Sequence, residues 1–544
     1  MSWLFRKAEN LRDHRHNGAE RNFMGGISYR LNPIDTLRMV TASGIFGEPK
    51  YYRSGAETQD GVFELDELFR EHAVIGDHFT GKKTSEVMQQ VIQEALDYDF
   101  EATIRWALTL RTEYMMRLNP QVIMVMAAMH KDRPAFNAAH PGLFSGINRA
   151  VMSRADEPAS QLACYLYLNG SKRNLPNVLK RGWASRLESL NAYQVHKYRN
   201  TGLGMIDVVR ICHACSPLLD ELMKTGDVRI TESETTWETM RSGGASWQTI
   251  CESGVLGHMA LLRNLRGIFS EVEDSALCKK LLEDLKAGVK GGRQYPFRYY
   301  SALQAVRGQP GVCHLPLLMD ALEECMDIAC ENMPVLRGRT MCLSDNSGSA
   351  WGSCTSEYGT VTVAVIDNLS GVITARNSEE GYVGKFGDSL RIFPISKRNG
   401  VLAQTELITK EKYGDVGGST ENGIWIFFRD AIDRKEHWDN IFIYSDMQAG
   451  HGGLYGTVEG KVEYAARGFD CRGTYIDVAK LIAEYRRRVN PKVNVFCVQT
   501  AGYHNVLVPE YGYRTNILYG WTGKELLFAD AMIRLWDERD GRTQ

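Results

Sequence analysis

The hydrophobic period of the chain changes once, near Arg337, and this change is the strongest constraint on the fold. Before it, apolar residues recur three and four positions apart, as in "SEVMQQVIQEALDYDFEATIRWALTLRTEYMM", which is typical of amphipathic helices. After it come short β-rich runs, namely "TMCLSD", "TVTVAVID", "SLRIFPI", "NIFIYSD" and "VNVFCVQT". The pattern predicts a helical module at 1–336 and an α/β domain at 337–544.

The helical module is interrupted by turn-forming pairs such as Asn119-Pro120, Gly243-Gly244 and Gln309-Pro310. A single bundle core rarely grows beyond about 250–300 residues, so a module of this length favours a solenoid of HEAT-like helix pairs. An irregular all-α bundle is the alternative, because the sequence shows no repeat of fixed period.

Near-continuous apolar strands alternate with amphipathic stretches such as "VAKLIAEYRRRVN" in the second part, which predicts a doubly wound, mostly parallel sheet. Ligands of such sheets bind beyond the carboxyl ends of the strands. Asp345, Ser347 and Ser349 lie at the end of the first strand, and Asp446 ends "NIFIYSD". The Gly-rich loop "DVGGSTENG" can bring Thr420 to the same edge, with Ser419 as the alternative.

These side chains are hard oxygen donors, which suit Mg²⁺ or Mn²⁺, with Ca²⁺ as the alternative, better than zinc. Two carboxylates, Asp345 and Asp446, are too few for a two-metal phosphoryl-transfer centre. The loop "GGSTENG" also lacks the lysine of a nucleotide-binding P-loop. We therefore predict a metal-binding protein that is not an enzyme.

The set Asp345-x-Ser347-x-Ser349, Thr420 and Asp446 resembles the metal-ion-dependent adhesion site of von Willebrand factor A domains. A long helical module before such a domain resembles the Ro autoantigen family, whose front part is the TROVE module. Segments 362–382 and 450–475 fit the family less well. The supporting residues are Leu261-Leu262-Arg263-Asn264-Leu265-Arg266, Tyr295-Pro296-Phe297 before Ala302-Leu303, and Lys197-Tyr198-Arg199 before Asp207-Val208-Val209-Arg210 and His213.

The resemblance implies an all-α HEAT-like solenoid closed into a monomeric ring by the von Willebrand factor A-like domain. It also implies that the protein binds RNA for quality control or decay, with an exoribonuclease such as polynucleotide phosphorylase as a partner. A metal-dependent protein-interaction scaffold that binds no RNA is the alternative function.

Charge patterning locates the candidate RNA surface. The chain has 64 Lys and Arg against 66 Asp and Glu, so its net charge of −2 gives no global attraction to nucleic acid. Residues 171–200, however, contain seven basic residues and one acid, Glu188, and could neutralise phosphates while Trp183, Tyr193 and Tyr198 stack on bases. An ordinary solvated helical face is the alternative. The basic candidates in this stretch are Lys172, Arg173, Lys180, Arg181, Lys197 and Arg199.

The resemblance assigns two RNA sites. Lys197, Arg199 and His213 match positions on the outer surface of the Ro ring that bind small structured noncoding (Y) RNA. Single-stranded 3′ ends of misfolded RNA enter the hole of the ring. A second basic set is predicted to line that hole: Arg263, Arg266 and Arg298, together with Lys286, Lys290 and Arg293.

The location of the protein is predicted from what its sequence lacks. The amino terminus has no signal-peptide core, and no run of about 18 apolar residues could cross a bilayer. The twelve cysteines lie mostly inside apolar segments, which is typical of reduced thiols. We therefore predict a cytoplasmic protein with no membrane partner.

Overall fold

The computed structural model of the chain describes residues 19–21, 27–29, 32–42, 84–114, 116–200, 203–230, 235–352, 362–410, 416–417, 421–445, 454–455, 475–476, 478–500, 514–519 and 525–541. None of the helices in these ranges is long and apolar enough to cross a membrane. All cysteines in them are free thiols.

The first part is helical, as predicted, and begins with a short antiparallel hairpin of β1 (Ala19–Arg21) and β2 (Ile27–Tyr29). Its helices are α1 (Pro33–Ala42), α2 (Thr84–Tyr98), α3 (Phe100–Thr112), α4 (Leu118–Met129), α5 (Arg133–Ala139), α6 (Leu143–Val151), α7 (Glu157–Asn169), α8 (Asn177–Glu188), α9 (Ala192–Tyr198), α10 (Met205–Cys212), α11 (Pro217–Thr225), α12 (Trp237–Ser242), α13 (Trp247–Glu252), α14 (His258–Glu271), α15 (Ser275–Gly292), α16 (Pro296–Val306) and α17 (Leu315–Cys330).

Local sequence explains where many of these helices begin. The side chain of Asp99 accepts a hydrogen bond from a backbone N–H in the first turn of α3, and Asp274 does the same for α15. Asn191 forms a reciprocal capping box at the start of α9. These caps satisfy N–H groups that have no partner within the helix. Helices that follow one another, such as α3 and α4 or α16 and α17, then pack together.

The second part is an α/β domain, as predicted. Its elements are β3 (Leu336–Asp345), α18 (Gly348–Gly352), α19 (Val363–Arg376), β4 (Ser378–Phe386), β5 (Leu390–Pro394), α20 (Val401–Thr409), α21 (Glu421–Asp433), β6 (Asn440–Ser445), β7 (Leu454–Tyr455), β8 (Tyr475–Ile476), α22 (Val478–Arg488), β9 (Asn494–Gln499), β10 (Thr515–Tyr519) and α23 (Glu525–Gly541). The sheet has the order β10-β9-β6-β3-β4-β5 among the described strands, and all of its pairs are parallel except β4 with β5.

This strand order makes the domain doubly wound and determines where a ligand can bind. The chain progresses from β3 toward β5 on one side and from β6 toward β10 on the other, so the order reverses between β3 and β6. Ligands of open α/β sheets bind in the crevice at this point, beyond the carboxyl ends of the strands. Asp345 is the last residue of β3 and therefore stands there.

One predicted strand is wrong. The run "TVTVAVID" does not form a strand, because α19 begins at Val363 within it. Nearly every side chain of α19 is buried, including Val363, Ile366 and Asn368, so the helix lacks the polar stripe that reveals a helical period. Its β-branched residues are common in strands, so the sequence pattern predicted a strand where the chain forms a helix. The strand β4, "SEEGYVGKF", was missed because Glu, Gly and Lys interrupt its apolar positions.

The α/β domain contacts both ends of the helical module. On the first side, α1 contacts β10, and the Tyr114 hydroxyl donates a hydrogen bond of 3.5 Å to the Leu527 carbonyl in α23. On the second side, the Val401 N–H donates to the Asp327 carboxylate at 2.9 Å. The domain thus joins the beginning of the helical module to its end, which is the ring arrangement that the family resemblance implied.

Candidate metal site and nucleic-acid interface

Asp345 is completely buried at the carboxyl edge of the sheet. One of its carboxylate oxygens accepts a hydrogen bond of 2.8 Å from the Ser347 N–H, and the other accepts one of 2.5 Å from the Ser445 hydroxyl. Ser445 is the last residue of β6, the strand that pairs with β3. The side chains of Asp345 and Ser445, from the ends of the two central strands, therefore meet at the predicted point, and the backbone of Ser347 joins them there.

The other predicted ligands are described only in part. Ser349 lies in α18, but its side chain is outside the described part of the molecule. Thr420, its alternative Ser419, and Asp446 also lie outside the described residues. Their positions relative to Asp345 therefore stay predictions.

The residues that flank the Thr420 loop are fixed near Asp345. Phe386, the last residue of β4, pairs with Asp345 in the sheet. The carbonyl of the next residue, Gly387, accepts a hydrogen bond of 2.9 Å from the Gly423 N–H in α21. On the other side of the loop, the Gly417 carbonyl is so close that a Cβ atom on Gly387 would lie 2.4 Å from it. Both ends of the loop segment thus lie beside the end of β4.

A buried amide pair supports the turn that follows Asp345. Asn346 and Asn368 exchange two hydrogen bonds through their side chains, of 2.9 and 3.1 Å. The Asn368 carbonyl oxygen also accepts from the Ser344 hydroxyl at 2.6 Å, and its amide nitrogen donates to the Thr409 hydroxyl at 3.2 Å. Asn368 therefore connects the turn after β3 to the end of α20.

The donor set fits a hard divalent cation. Asp345, Ser347 and Ser445 offer carboxylate and hydroxyl oxygens, which are ligands that Mg²⁺, Mn²⁺ and Ca²⁺ prefer. Within the described residues, no three His, Cys, Asp or Glu side chains form a metal-binding group. Ser445 was not predicted from the sequence as a residue of the candidate site. Its position directly before Asp446, at the end of a predicted strand, could have identified it.

The basic side chains in the stretch 171–200 differ in whether they form ion pairs with acids of the described part of the chain. Lys172, Arg173 and Arg181 are exposed and Lys180 is partly buried, in α8 and the turn before it. These four side chains form no ion pair with any described residue. Their charges are therefore available to phosphate groups.

Lys197 and Arg199 are instead already paired with acids. The Lys197 ammonium lies 2.5 Å from Glu238, and the Arg199 guanidinium lies 3.1 Å from Asp227. Burial opposes the charge of Lys197, but hydrogen bonds with Glu238 and Tyr193 outweigh it and raise the pKa of Lys197 above its usual value. An RNA phosphate would have to compete with these carboxylates.

The aromatic candidates for base stacking are not equally accessible. Trp183 is completely buried, and its indole N–H donates a hydrogen bond of 2.8 Å to Gln161, so the prediction that it stacks on RNA bases is wrong. A large apolar ring that fills a core explains its burial. Tyr193 and Tyr198 are partly buried, and the Tyr193 hydroxyl donates to Glu238 at 2.5 Å.

His213 is exposed directly after α10, where its backbone adopts a left-handed conformation with φ of 58°. Its N–H donates a hydrogen bond of 2.8 Å to the Val209 carbonyl, which ends the helix. The side chain is therefore presented to solvent and is not a core histidine.

The side chains of the second basic set also differ in whether they form ion pairs with described acids. Arg263 and Arg266 are exposed on α14 and form no ion pair with the residues that the structure describes. Lys286 bridges Glu283 and Glu324, and Lys290 lies 2.7 Å from Glu331. Arg298 is partly buried over the ring of Phe297, with 5.3 Å between its guanidinium carbon and the ring centroid. Arg293 is also exposed and forms no ion pair with the described residues, so Arg263, Arg266 and Arg293 are the strongest candidates of this set for binding phosphate.

Comparison with solved structures identifies a similar fold. No family model matches the sequence, and no curated protein matches it. The crystal structure of the RO (RSR) protein of Deinococcus radiodurans matches 92% of this chain and 99% of its own, with a TM-score of 0.62 and 16% sequence identity. The resemblance to the Ro family that the sequence predicted is therefore confirmed for the fold, through both the helical ring and the α/β domain.

Proposed function

We propose, on the basis of its Ro-type fold, that this chain is an RNA-binding ring protein and not an enzyme. In this proposal, the outer surface of the helical module binds small structured noncoding RNA similar to Y RNA. The central hole accepts single-stranded 3′ ends of misfolded RNA. An exoribonuclease such as polynucleotide phosphorylase would then take part in RNA quality control in the cytoplasm.

The observation that carries the proposal is a fold match over nearly the full length of both chains, 92% and 99%. A cluster of cations in the sequence supports it independently. Lys172, Arg173, Lys180 and Arg181 lie close together in the chain, form no ion pair with the described residues, and belong to a protein whose net charge is only −2, so global charge does not explain them. Phosphate contacts of this kind supply most of the affinity of proteins for nucleic acid.

The α/β domain is proposed to bind Mg²⁺ or Mn²⁺, or Ca²⁺ as the alternative, through Asp345, Ser347, Ser349, Thr420 and Asp446. Bound there, the cation would offer an open coordination position to a carboxylate of a protein partner. Asp345 suits this role because its carboxylate is buried and because hydrogen bonds from the Ser347 N–H and the Ser445 hydroxyl fix its orientation.

The test is to purify the full chain, measure the ratio of absorbance at nucleic-acid and protein wavelengths, and sequence any RNA crosslinked to it. We expect bound small structured RNA, and binding that weakens as salt increases because counterions are released from the phosphates. A preparation free of nucleic acid that binds neither structured nor 3′-tailed RNA at low salt would favour the protein-interaction scaffold.

A further inference from the structure

Thr500 carries a buried hydroxyl that none of the described residues satisfies. Thr500 follows β9 directly, its side chain is completely buried, and its hydroxyl oxygen has no hydrogen-bond partner in the part of the chain that the structure describes. Leaving a buried hydroxyl unsatisfied is unfavourable, and such groups in native proteins usually bind a water molecule or an ion.

The position of Thr500 connects it to Asp345. The Thr500 N–H donates a hydrogen bond of 3.0 Å to the Ser445 carbonyl, and the Ser445 hydroxyl donates one of 2.5 Å to the Asp345 carboxylate. Ser445 pairs with Gln499 in the sheet, so Thr500 stands one residue further toward the carboxyl edge. The unsatisfied hydroxyl therefore belongs to the edge at which the cation is proposed to bind.

A second buried threonine in the same sheet shows that burial alone does not explain this. Thr340 lies in β3 near the amino edge of the sheet and is also completely buried. Its hydroxyl accepts a hydrogen bond of 3.2 Å from the Asn440 amide. The Thr340 hydroxyl near the amino edge therefore has a hydrogen-bond partner within the protein. The Thr500 hydroxyl at the carboxyl edge has none among the described residues and can bind another partner.

We propose that the Thr500 hydroxyl is a further part of the cation site and binds a water molecule that coordinates the divalent ion. This rests on the metal site proposed above and adds a residue that directly follows β9 to the residues at the ends of β3 and β6. Mg²⁺ usually keeps several of its waters in protein sites, and a bound water needs two to four polar partners. A hydroxyl can be one of them.

The test is calorimetric titration of the full chain with Mn²⁺ or Mg²⁺ alone, combined with urea unfolding in the absence of metal. Thr500→Val keeps the shape of the side chain and removes the hydroxyl. We expect about a 10-fold loss of metal affinity, at the low end of outer-shell effects. The urea midpoint without metal should stay the same or rise, because no protein hydrogen bond is lost. Thr500→Ser should restore most of the affinity.

Thr340→Val is the matched control, since it makes the same change at the opposite edge. It should lower the urea midpoint, because it breaks the hydrogen bond from Asn440, and leave metal affinity unchanged. Wild-type metal affinity in Thr500→Val would overturn the role of Thr500. If the wild-type chain binds neither ion, the metal site itself fails, and the Thr500 proposal fails with it. If the wild type binds and Asp345→Ala does not, the site stands whatever Thr500 does.

Discussion

Asn368 uses both ends of its side-chain amide to hold the turn that follows Asp345. It bonds Asn346 twice and Ser344 once in a buried environment, and Thr409 once where the bond is partly buried. Hydrogen bonds among buried groups strengthen one another, and removing one partner leaves the others unsatisfied. We therefore expect the geometry of the candidate metal site to depend on a residue that contacts no proposed ligand.

Asn368→Ala tests this dependence. We expect the free energy of unfolding to fall by about 2–4 kcal/mol, the usual range for breaking a buried polar network. Metal affinity, measured by Mn²⁺ titration of the folded protein, should fall as well, because the turn from Asp345 to Ser347 loses its support. The matched control is Asn440→Ala, which removes a buried amide that bonds Arg337 and Thr340 near the amino edge.

The two variants distinguish a positioning role from a purely structural one. Asn440→Ala should lose stability and keep metal affinity, whereas Asn368→Ala should lose both. If Asn368→Ala binds Mn²⁺ like the wild type while it is less stable, the amide pair supports the fold and not the site.

At this scale the sequence predicted the position of Asp345 at the carboxyl edge of the sheet, but not the residues that support it. Asp345 and Ser347 could be placed because the carboxyl ends of parallel strands lie at one edge of the sheet, and Asp345 ends an apolar strand. Asn368 could not be found, because it is 22 residues from Asn346 and lies in a helix that was predicted to begin as a strand. Thr500 could not be singled out either, because a missing hydrogen bond is visible only in three dimensions.

The helices α8 and α9 show why a count of charges does not define a binding surface. The charge pattern grouped Lys197 and Arg199 with Lys180 and Arg181, and the family resemblance favoured Lys197 and Arg199 for RNA binding. In the fold, α9 lies beside acids that are distant in sequence, with Glu238 located 41 residues after Lys197. Ion-pair partners of this kind depend on tertiary packing, so the pattern of one helix cannot reveal them.

Lys180→Ala with Arg181→Ala should therefore have a larger effect on RNA binding than Lys197→Ala with Arg199→Ala. Removing two cations that have no ion pair with described residues should reduce the slope of log affinity against log salt by about one to two, since each neutralised phosphate contributes about 0.7 to 0.9. The change for Lys197 and Arg199 should be smaller, because phosphate contacts there require breaking the existing ion pairs. Fluorescence anisotropy with a structured RNA over a series of KCl concentrations measures both slopes.

Lys397→Ala with Arg398→Ala provides the control for this comparison. These two residues are also an adjacent, exposed Lys-Arg pair, but they lie in the α/β domain between β5 and α20. The slope should not change in this variant. An equal decrease in slope for the pairs on α8 and α9 would show that Glu238 and Asp227 do not compete with RNA.

The whole molecule is held together by contacts that no local pattern encodes. Tyr114 and Leu527 are 413 residues apart, yet a hydrogen bond connects them at the junction between the helical module and the α/β domain. At the other junction, Arg307 lies 2.8 Å from Glu406 in α20. The change of period predicted two modules, whereas closure of the ring was implied only by the family resemblance.

Helix α20 connects the candidate metal site to the helical module. Its first residue, Val401, donates a backbone hydrogen bond to Asp327 in α17. Its last residue, Thr409, accepts one from Asn368, which supports the turn that follows Asp345. The Ile408 carbonyl also accepts a hydrogen bond of 2.9 Å from the buried Lys385 ammonium. A single short helix thus contacts both the ring and the support of the candidate site.

The ring predicts that two RNA sites can be separated by mutation. Arg263 and Arg266 lie exposed on α14 without ion pairs to described residues, whereas the outer candidates lie on α8. Arg263→Glu with Arg266→Glu should weaken binding of a 3′-tailed duplex by at least about 10-fold more than binding of a blunt structured RNA. A reversed charge repels a strand most strongly where the strand is confined close to it, as in a central channel.

Gel-shift competition between the tailed and the blunt RNA, with the intact chain, measures this difference directly. The charge-matched control is Lys397→Glu with Arg398→Glu, which changes the net charge of the protein by the same amount at a site in the α/β domain. It should reduce binding of both RNAs only slightly and equally. If the reversal on α14 weakens both RNAs equally, the two proposed sites are one surface. If it weakens neither, α14 does not bind RNA, and the unpaired arginines on it need a different partner.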